Sequence, residues 1–430
     1  MKALQDIVAR NVRGEAVGIW SLCSAHPVVI EAALQEAKAA GRGLLVEATS
    51  NQVNQFGGYT GMRPADFVRF LREIAARADF PADRVWIGGD HLGPNAWRRE
   101  PTDAAMAKAA ELVREYVVAG FRKIHLDCSM GCAGDPAALP EPLVAERAAT
   151  LASAAEIAWE QSGGEAPVYV IGTEVPTPGG ATEDLATLAV TTPKAAAATI
   201  ESHRAAFHRA GLEAAWPRVV ALVVQPGVEF DHRKVVEYRP EAAKALSAFV
   251  GRQSQFVFEA HSTDYQPEDG LRALVRDHFA ILKVGPGATF ALRETLWGLA
   301  AIDQALEGEG RVPDLRRTIV AAMHADPQHW RGHYHAEGTE LDTDLQFSLS
   351  DRIRYYWPYP EIRRAVSAMQ ERLDRRKIPP ALLQQHLPRQ HEAVRAGRIA
   401  ITTAEILREG VAIALRPYVA ACGGQARAAA

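Results

Sequence analysis

The chain has 430 residues, of which 48% are hydrophobic and 23% charged, which is ordinary usage for a globular protein. Its formal net charge of −4 gives no general attraction for nucleic acid or for an anionic membrane, so we expect neither as a partner. Four cysteines in so long a chain do not make a disulfide framework. The opening stretch "MKALQDIVARNVRG" lacks the apolar segment of a secretory signal, and no apolar run is long enough to span a bilayer. The sequence therefore predicts a cytoplasmic protein.

Short apolar runs rich in β-branched residues recur along the chain, each followed by a segment with helical spacing of its apolar residues. Strands that alternate with amphipathic helices are typical of a parallel sheet covered by helices. Eight such units in about 300 residues predict an α/β fold of the TIM (β/α)8 barrel type. A doubly wound open sheet is the alternative, but no G-x-G-x-x-G motif follows the first strand. The predicted strands are Val17–Cys23, Gly43–Thr49, Val85–His91, Lys123–Ser129, Val168–Glu174, Arg218–Gln225, Gln255–His261 and Ala280–Pro286.

The alternation of strands and helices stops after Ala300. The rest of the chain predicts helices interrupted by stretches such as "MHADPQHWRGHYHAEGTELDTD" and "YYWPYPEIRR". We therefore predict a barrel over residues 1–300 and a helical extension packed on it over residues 301–430.

Polar residues occur at the end of each of the eight predicted strands. Active sites of TIM barrels lie at the carboxyl ends of the strands. Burying many polar groups on one face costs free energy unless they pair or bind a ligand, so we expect a functional site there. The strand-end residues are Cys23, Ser24, His26, Glu47, Thr49, Asn51, Asp90, His91, Asp127, Ser129, Glu174, Gln225, Glu259, His261 and Lys283.

Three of these residues, His91, Glu174 and His261, form a candidate metal site. Two imidazoles and a carboxylate with an open position suit Zn²⁺ or a similar divalent ion, which would polarise a carbonyl as a Lewis acid. No compact motif such as H-E-x-x-H is present, so the prediction depends on the barrel. The alternative is two structural histidines and a cap.

Proton transfer has its main candidate in "VWIGGDHLGP", where Asp90 stands directly before His91. Beside a metal-bound substrate, Asp90 would act as general acid or base. The alternative is that Asp90 only caps the next helix. Glu47 and Asp127, at neighbouring strand ends, are further catalytic candidates.

Two loops predict substrate contacts. In "KVGPGATFAL", the glycines Gly285 and Gly287 and the hydroxyl of Thr289 enter a helix, whose first N–H groups could bind phosphate. An ordinary Gly-Pro turn is the alternative. The amide-rich stretch "EATSNQVNQFGGYTG" predicts a polar substrate-binding loop around Asn51, although an exposed loop can share that composition. Ser262, after His261, is a further binding candidate.

Seven stretches together resemble one family: "GDHLGP", "NQFGGYTGM", "HLDCSMGCAGD", "GTEVPTPGGA", "EAHSTDYQ", "KVGPGATFALRE" and "FSLSDRIRYYWPYPEIRRAV". Over nearly its whole length the chain is similar to the non-catalytic subunit of class II D-tagatose-bisphosphate aldolase, once labelled a tagatose-6-phosphate kinase. Some members of that family are ketose-6-phosphate 4-epimerases. The family is distantly similar to the zinc-dependent class II aldolases, which are TIM barrels.

The resemblance to the aldolases implies roles at matching positions. It makes Asp90 the base, assigns metal ligation to His91, Glu174 and His261, and places phosphate at the turn around Gly285, Gly287 and Thr289. Strand six departs from the pattern, since Gln225 stands where an aldolase would have a histidine. That departure puts the full aldolase metal set in doubt.

The resemblance and the retained residues together predict an epimerase that interconverts D-tagatose 6-phosphate and D-fructose 6-phosphate at C4. A retro-aldol route would need a divalent metal, Zn²⁺ or else Mg²⁺ or Mn²⁺, with a base and a phosphate grip. The alternative is a chaperone-like subunit that binds a separate class II aldolase chain. A sugar-phosphate kinase is a third hypothesis, which rests on the old family label. A homo-oligomer is a further hypothesis about assembly. Whether Arg352, Tyr355 and Tyr356 of the extension reach the pocket is left open by the sequence.

Overall fold

The computed structural model describes residues 1–136, 138–172, 188–308 and 310–423. All eight predicted strands form, and they close into one parallel barrel, which confirms the TIM (β/α)8 fold. Each strand pairs with the next along the chain, and the first closes the barrel by pairing with the last, from Ile19 against Ile281 to Leu22 against Val284. The strands are β1 Ile19–Leu22, β2 Leu44–Thr49, β3 Val85–Leu92, β4 Lys123–Leu126, β5 Val168–Gly172, β6 Val219–Val223, β7 Val257–Ala260 and β8 Phe279–Val284.

Helices surround the barrel and form the extension. Several begin with proline at the first helical position, as Pro27, Pro64 and Pro240 do, where the missing N–H needs no partner. No helix among the described residues is both long and apolar enough to cross a bilayer. The helices are α1 Lys2–Val12, α2 Pro27–Ala39, α3 Pro64–Arg77, α4 Thr102–Ala119, α5 Glu141–Ser162, α6 Pro193–Arg209, α7 Pro240–Val250, α8 Glu268–Arg276, α9 Pro286–Glu307, α10 Leu315–Ala325, α11 Gly338–Phe347, α12 Pro360–Arg376, α13 Pro380–His386, α14 Pro388–Arg395 and α15 Thr403–Ala421.

The lower part of the barrel lumen is filled by apolar side chains. Helix α1 packs across this end and adds its own apolar residues to the cluster, so polar chemistry is concentrated at the opposite, carboxyl ends of the strands. The cluster includes Leu4, Ile7, Ile19, Leu45, Val170, Ala221, Val257 and Ile281.

The helices of the extension pack against helices of the barrel. Helix α15 lies against α2 and α9. Arg416 of α15 pairs with Glu36 of α2 at 3.2 Å, and the Tyr418 hydroxyl donates to the carbonyl of Thr263 at 2.6 Å. The division of the chain at residue 300 stays a prediction, and α9 runs across that point. Between α11 and α12 a short 3-10 turn, Arg352–Tyr355, brings the extension to the barrel mouth.

Candidate active site

A network of buried charges crosses the lumen above the apolar layer. The Lys123 ammonium lies 2.9 Å from the Glu47 carboxylate and 2.8 Å from that of Glu259. The Lys283 ammonium lies 2.9 Å from the same Glu47 carboxylate and 3.7 Å from Glu259. Because buried charges are costly unless paired, these contacts hold the four side chains in place, and one of them, Lys283, lines the cavity at the barrel mouth. Glu47 also accepts a hydrogen bond from Ser21 at 2.5 Å, which places this catalytic candidate within the network.

Asp90 lies at the upper edge of this network. Its Oδ1 is 3.0 Å from Lys283 Nζ, and its Oδ2 accepts from the Cys23 thiol at 3.5 Å. Burial alone would raise the pKa of Asp90, but Lys283 and then His91 outweigh it and hold the pKa well below 3.8. The following short helix, Pro94–Trp97, has Gly93 as N-cap and no side-chain cap bond. Asp90 is therefore an ionised carboxylate at the pocket, and it does not cap that helix.

Three imidazoles surround the outer side of Asp90. Their ring centroids lie 4.7, 4.9 and 5.3 Å apart. Each ring has one nitrogen in contact with an acceptor oxygen, which fixes the orientation of the ring, as in metal-binding histidines. These contacts are His91 Nδ1 to Asp127 at 2.7 Å, His125 Nε2 to the carbonyl of Gly172 at 2.9 Å, and His261 Nε2 to Glu259 at 2.9 Å. His125 Nδ1 also accepts from the His91 amide at 3.2 Å and lies 3.0 Å from Asp90 Oδ1.

Asp127 serves His91 as a fixed acceptor. Its other carboxylate oxygen accepts from the hydroxyl of Ser129 at 2.6 Å and from the Ser129 amide at 3.1 Å. Burial opposes ionisation, but the hydrogen bond from His91 and its charge hold the pKa of Asp127 below its ordinary value. Asp127, a catalytic candidate from the sequence, therefore lies behind the imidazole and orients it.

The backbone between β3 and β4 is held tightly around this pair. His91 has φ of 48°, in the left-handed region that a non-glycine residue rarely adopts. A Cβ placed on Gly93 would lie 1.7 Å from the carbonyl oxygen of Asp127. Only glycine fits there, so this close approach fixes the distance between the His91 and Asp127 backbones.

The donor atoms of Asp90, His91, His125 and His261, which we call the histidine cluster, lie within 4.8 Å of one another. Imidazole and carboxylate ligands suit Zn²⁺ and similar divalent ions, so the donor types fit. In the described part of the lumen, four carboxylates face two ammonium groups. These groups are Glu47, Asp90, Asp127, Glu259, Lys123 and Lys283. The remaining negative charge would be offset by His91, whose pKa, despite burial, is raised by Asp90 and Asp127, and by a divalent cation. The cluster is therefore a possible metal-binding site.

The sequence predicted part of this cluster. His91 and His261 come together as expected, whereas Glu174 lies outside the described residues. His125 was missed, although a signal was present: Lys123, His125 and Asp127 alternate along one strand. Alternate residues of a strand share a face, so all three had to point into the lumen together.

The turn predicted to bind phosphate lies beside the pocket, but its donors are engaged. The amides of Gly285 and Gly287 donate to Oδ1 of Asp264 at 2.9 and 2.7 Å. The Thr289 hydroxyl donates to Asp351 at 2.6 Å. Burial raises the pKa of Asp264 to about 6 despite those amide donors. Phosphate binding at this turn stays a prediction.

A cavity of about 160 Å³ opens above the histidine cluster. Asn51 and Ser262 both line it, as their assignment to substrate binding requires. Gln225 is not among the residues that line this cavity. Its Oε1 accepts hydrogen bonds from the amides of Gly227 and Val228 at 2.8 and 3.0 Å. The glutamine at this strand end therefore shapes its own loop.

The extension contributes to the cavity through residues that the sequence only partly identified. Tyr355 lines the wall, and so does Arg354, which sequence reasoning missed. Arg352 is buried behind Tyr355, and its Nη1 donates to the Tyr355 hydroxyl at 3.3 Å. Tyr356 is packed in the core, and its hydroxyl donates to the carbonyl of Asp326 at 2.5 Å.

Comparison with known proteins gives a family match over nearly the whole chain. A model of the D-tagatose-1,6-bisphosphate aldolase subunit GatZ/KbaZ-like family matches residues 4–423. A crystal structure from Sinorhizobium meliloti 1021, described as a probable tagatose 6 phosphate kinase, is 49% identical with a TM-score of 0.87. It covers 94% of this chain and 100% of its own.

Two aldolase structures are much more distant. A fructose-bisphosphate aldolase from Campylobacter jejuni is 14% identical, with a TM-score of 0.44 and coverage of 86% of this chain and 91% of its own. The YdjI aldolase from Escherichia coli K12 is 11% identical, with a TM-score of 0.40 and coverage of 83% and 97%. Similarities of that size carry no conclusion about the chemistry of this chain.

Proposed function

Because this chain belongs to the D-tagatose-1,6-bisphosphate aldolase subunit GatZ/KbaZ-like family, we propose that it acts on a ketose phosphate at the mouth of its barrel. The reaction we propose is the interconversion of D-tagatose 6-phosphate and D-fructose 6-phosphate at C4. The observation that carries the proposal is the histidine cluster, which includes Asp90. It lies above a layer of apolar side chains that fills the lower part of the barrel lumen.

The chemistry of a 2-ketose explains why these groups are needed. The C2 carbonyl acidifies the proton on C3 but not the proton on C4, so direct deprotonation at C4 is unfavourable. Inverting C4 is easier if the C3–C4 bond breaks, the aldehyde fragment rotates and the bond forms again. That route needs stabilisation of negative charge on the C2 side and a base for the C4 hydroxyl.

His91, His125 and His261 are the residues that would hold the divalent ion, with Glu174 still a predicted ligand. Bound there, the ion supplies Lewis-acid polarisation of the substrate carbonyl. Asp127 and Glu259 orient two of the imidazoles from behind.

Asp90 is the proton-transfer group in this proposal. Its Oδ2 takes the proton of the C4 hydroxyl, and the electron pair of the C3–C4 bond moves to C3 and onto the C2 carbonyl oxygen. The aldehyde at C4 turns its other face, C3 attacks it, and Asp90 returns the proton to the C4 oxygen. Lys283, which contacts Oδ1, holds the carboxylate in place during both transfers.

The experiment is incubation of the purified chain with D-fructose 6-phosphate, and separately with D-fructose, in the presence of Zn²⁺, Mg²⁺ or Mn²⁺. We expect the C4 epimer of the phosphorylated sugar without ATP, detected by NMR. Asp90→Asn should lose about 10²–10⁴ in rate. The exposed Asp83→Asn is the matched control and should keep full activity. No epimer with any of the three metals would overturn the proposal.

The second candidate function is a non-catalytic subunit that stabilises a separate class II D-tagatose-1,6-bisphosphate aldolase chain. The family's description as an aldolase subunit supports it. Gln225 supports it too, because it stands where an aldolase would have a histidine and its side chain bonds to its own loop. Co-purification with such an aldolase, and loss of that aldolase's stability without this chain, would favour it. ATP consumption with tagatose 6-phosphate would instead favour a kinase.

A further inference from the structure

Two arginines of the extension lie close together near the barrel mouth, Arg354 at the cavity wall and Arg352 behind Tyr355. Within the described residues, no ion pair within 4.0 Å involves Arg352 or Arg354. Both instead donate to the hydroxyl of Tyr355, from Arg352 at 3.3 Å and from Arg354 at 3.1 Å. The Arg354 Nη1 also donates to the backbone carbonyls of Ser350 and Asp351. Two positive charges therefore converge on one phenol oxygen.

The surroundings of Arg352 keep this charge in place. Its side chain is 6% exposed, and its Nε has no hydrogen-bond partner among the described residues. Its Nη2 lies 2.7 Å from Nδ1 of His333, and burial followed by Arg352 itself lowers the pKa of His333 to about 3. His333 is therefore a neutral acceptor. For Tyr355, burial would raise the pKa, but Arg354 and Arg352 outweigh it and bring the pKa below 10.

Arg354 and Tyr355 share a cavity wall with the histidine cluster. Both line the 160 Å³ cavity together with Asp90, His91 and His261. Arg354 also lines a second, adjoining cavity of about 410 Å³, which shares Cys23, Gln52 and Tyr59 with the first. A ligand in the first cavity therefore meets Arg354 at the border with the second.

The turn at the start of α9 is a poorer place for a phosphate. Its Gly285 and Gly287 amides already donate to Asp264, and the amides of Ala288 and Thr289 donate to the Gly285 carbonyl at 3.1 and 3.3 Å. A phosphate there would have to displace the Asp264 carboxylate and leave it buried beside a second anion, which is costly.

We propose that Arg354, supported by Arg352 and Tyr355, binds the phosphate group of the substrate, and that the extension thereby selects phosphorylated ketoses. The inference rests on the proposed function for the identity of the substrate, but the anion site itself does not depend on turnover. Arginine suits this task because its planar fork matches phosphate oxygens. In the structure the hydrogen bonds of Arg354 to Tyr355 and to the carbonyls of Ser350 and Asp351 hold its guanidinium group at the cavity wall.

The test compares binding of D-glucitol 6-phosphate and D-glucitol, which lack the reactive carbonyl, to metal-depleted protein by calorimetry. We expect the phosphate to bind the wild-type chain at least 10-fold more tightly. Arg354→Met should reduce that preference by about 10-fold, since a hydrogen bond between charged groups is lost. Arg354→Lys, which keeps the charge but not the fork, should fall between. The exposed Arg364→Met on α12 is the matched control and should keep the full preference.

Circular dichroism and thermal denaturation of each variant separate a lost site from a lost fold. Equal binding of the two polyols by the wild-type chain would overturn the proposal. So would an unchanged preference in folded Arg354→Met, or loss of the preference in Gly287→Ala alone, which would place the phosphate at the α9 turn. If the preference is found and D-fructose 6-phosphate is not converted, the anion site stands and the epimerase proposal falls.

Discussion

Replacing Lys283 by methionine removes one of the two ammonium groups that balance the lumen carboxylates. Lys283 lies 2.9 Å from Glu47 and 3.0 Å from Asp90, and its side chain is almost completely buried. Methionine fills a similar volume, so the change is mainly one of charge. Breaking a buried ion pair by removing one partner costs about 3–5 kcal/mol, because the remaining charge is left without compensation. We expect a loss of that size in the free energy of unfolding.

Denaturant titration at pH 7 measures this loss, with the exposed Lys244→Met as matched control. The control should change the free energy of unfolding by less than about 0.5 kcal/mol. Adding Glu47→Gln to Lys283→Met should cost less than the sum of the two single variants, since it restores charge balance. If Lys283→Met is as stable as Lys244→Met, the reasoning about the buried network is refuted.

Three further predictions concern the pocket. Gly93→Ala should lower metal affinity and stability, because the added Cβ would overlap the Asp127 carbonyl oxygen. In Gly131→Ala the added Cβ would have no neighbouring atom closer than 3.5 Å, so this control should change neither quantity. Metal titration and thermal denaturation measure both effects. Asp90→Asn should keep bound metal while losing proton-transfer rate, which paired metal analysis and epimer NMR would show, and a fully active variant would contradict the role of Asp90. Because the pKa of Asp264 is raised from 3.8 to about 6, the folded protein binds this proton more tightly than the unfolded chain does. Its contribution to stability is therefore lost as pH rises from about 4 to about 6, by roughly 3 kcal/mol, and Asp264→Asn should flatten denaturation profiles over that range.

The order of the elements could be predicted from the sequence because local patterns determine it. Each barrel strand is a short apolar run whose edges differ from the prediction by no more than three residues, as in Lys123–Leu126 against the predicted Lys123–Ser129. The strand-end rule then brought Asp90, His91 and His261 to one face correctly.

Residues that act through long-range contacts could not be predicted in the same way. Arg354 lies in the extension, and its position at the barrel mouth depends on how those helices pack. The sequence pattern at Gly285 and Gly287 indicates free amides, and only the fold shows that Asp264 occupies them. His125 is the exception, since strand alternation with Lys123 and Asp127 would have found it.

The measurement that tests the central claim most directly is the dissociation constant for Zn²⁺ and Mn²⁺ in wild-type protein and in His125→Ala. His125 has no neighbour in sequence among the other ligands, so only the barrel joins it to His91 and His261. We predict one divalent ion per chain, with affinity reduced at least 10-fold in His125→Ala and unchanged in His208→Ala, whose ring is 75% exposed. Equal affinity in wild-type protein and His125→Ala, or no stoichiometric binding by the wild-type chain, would contradict the account.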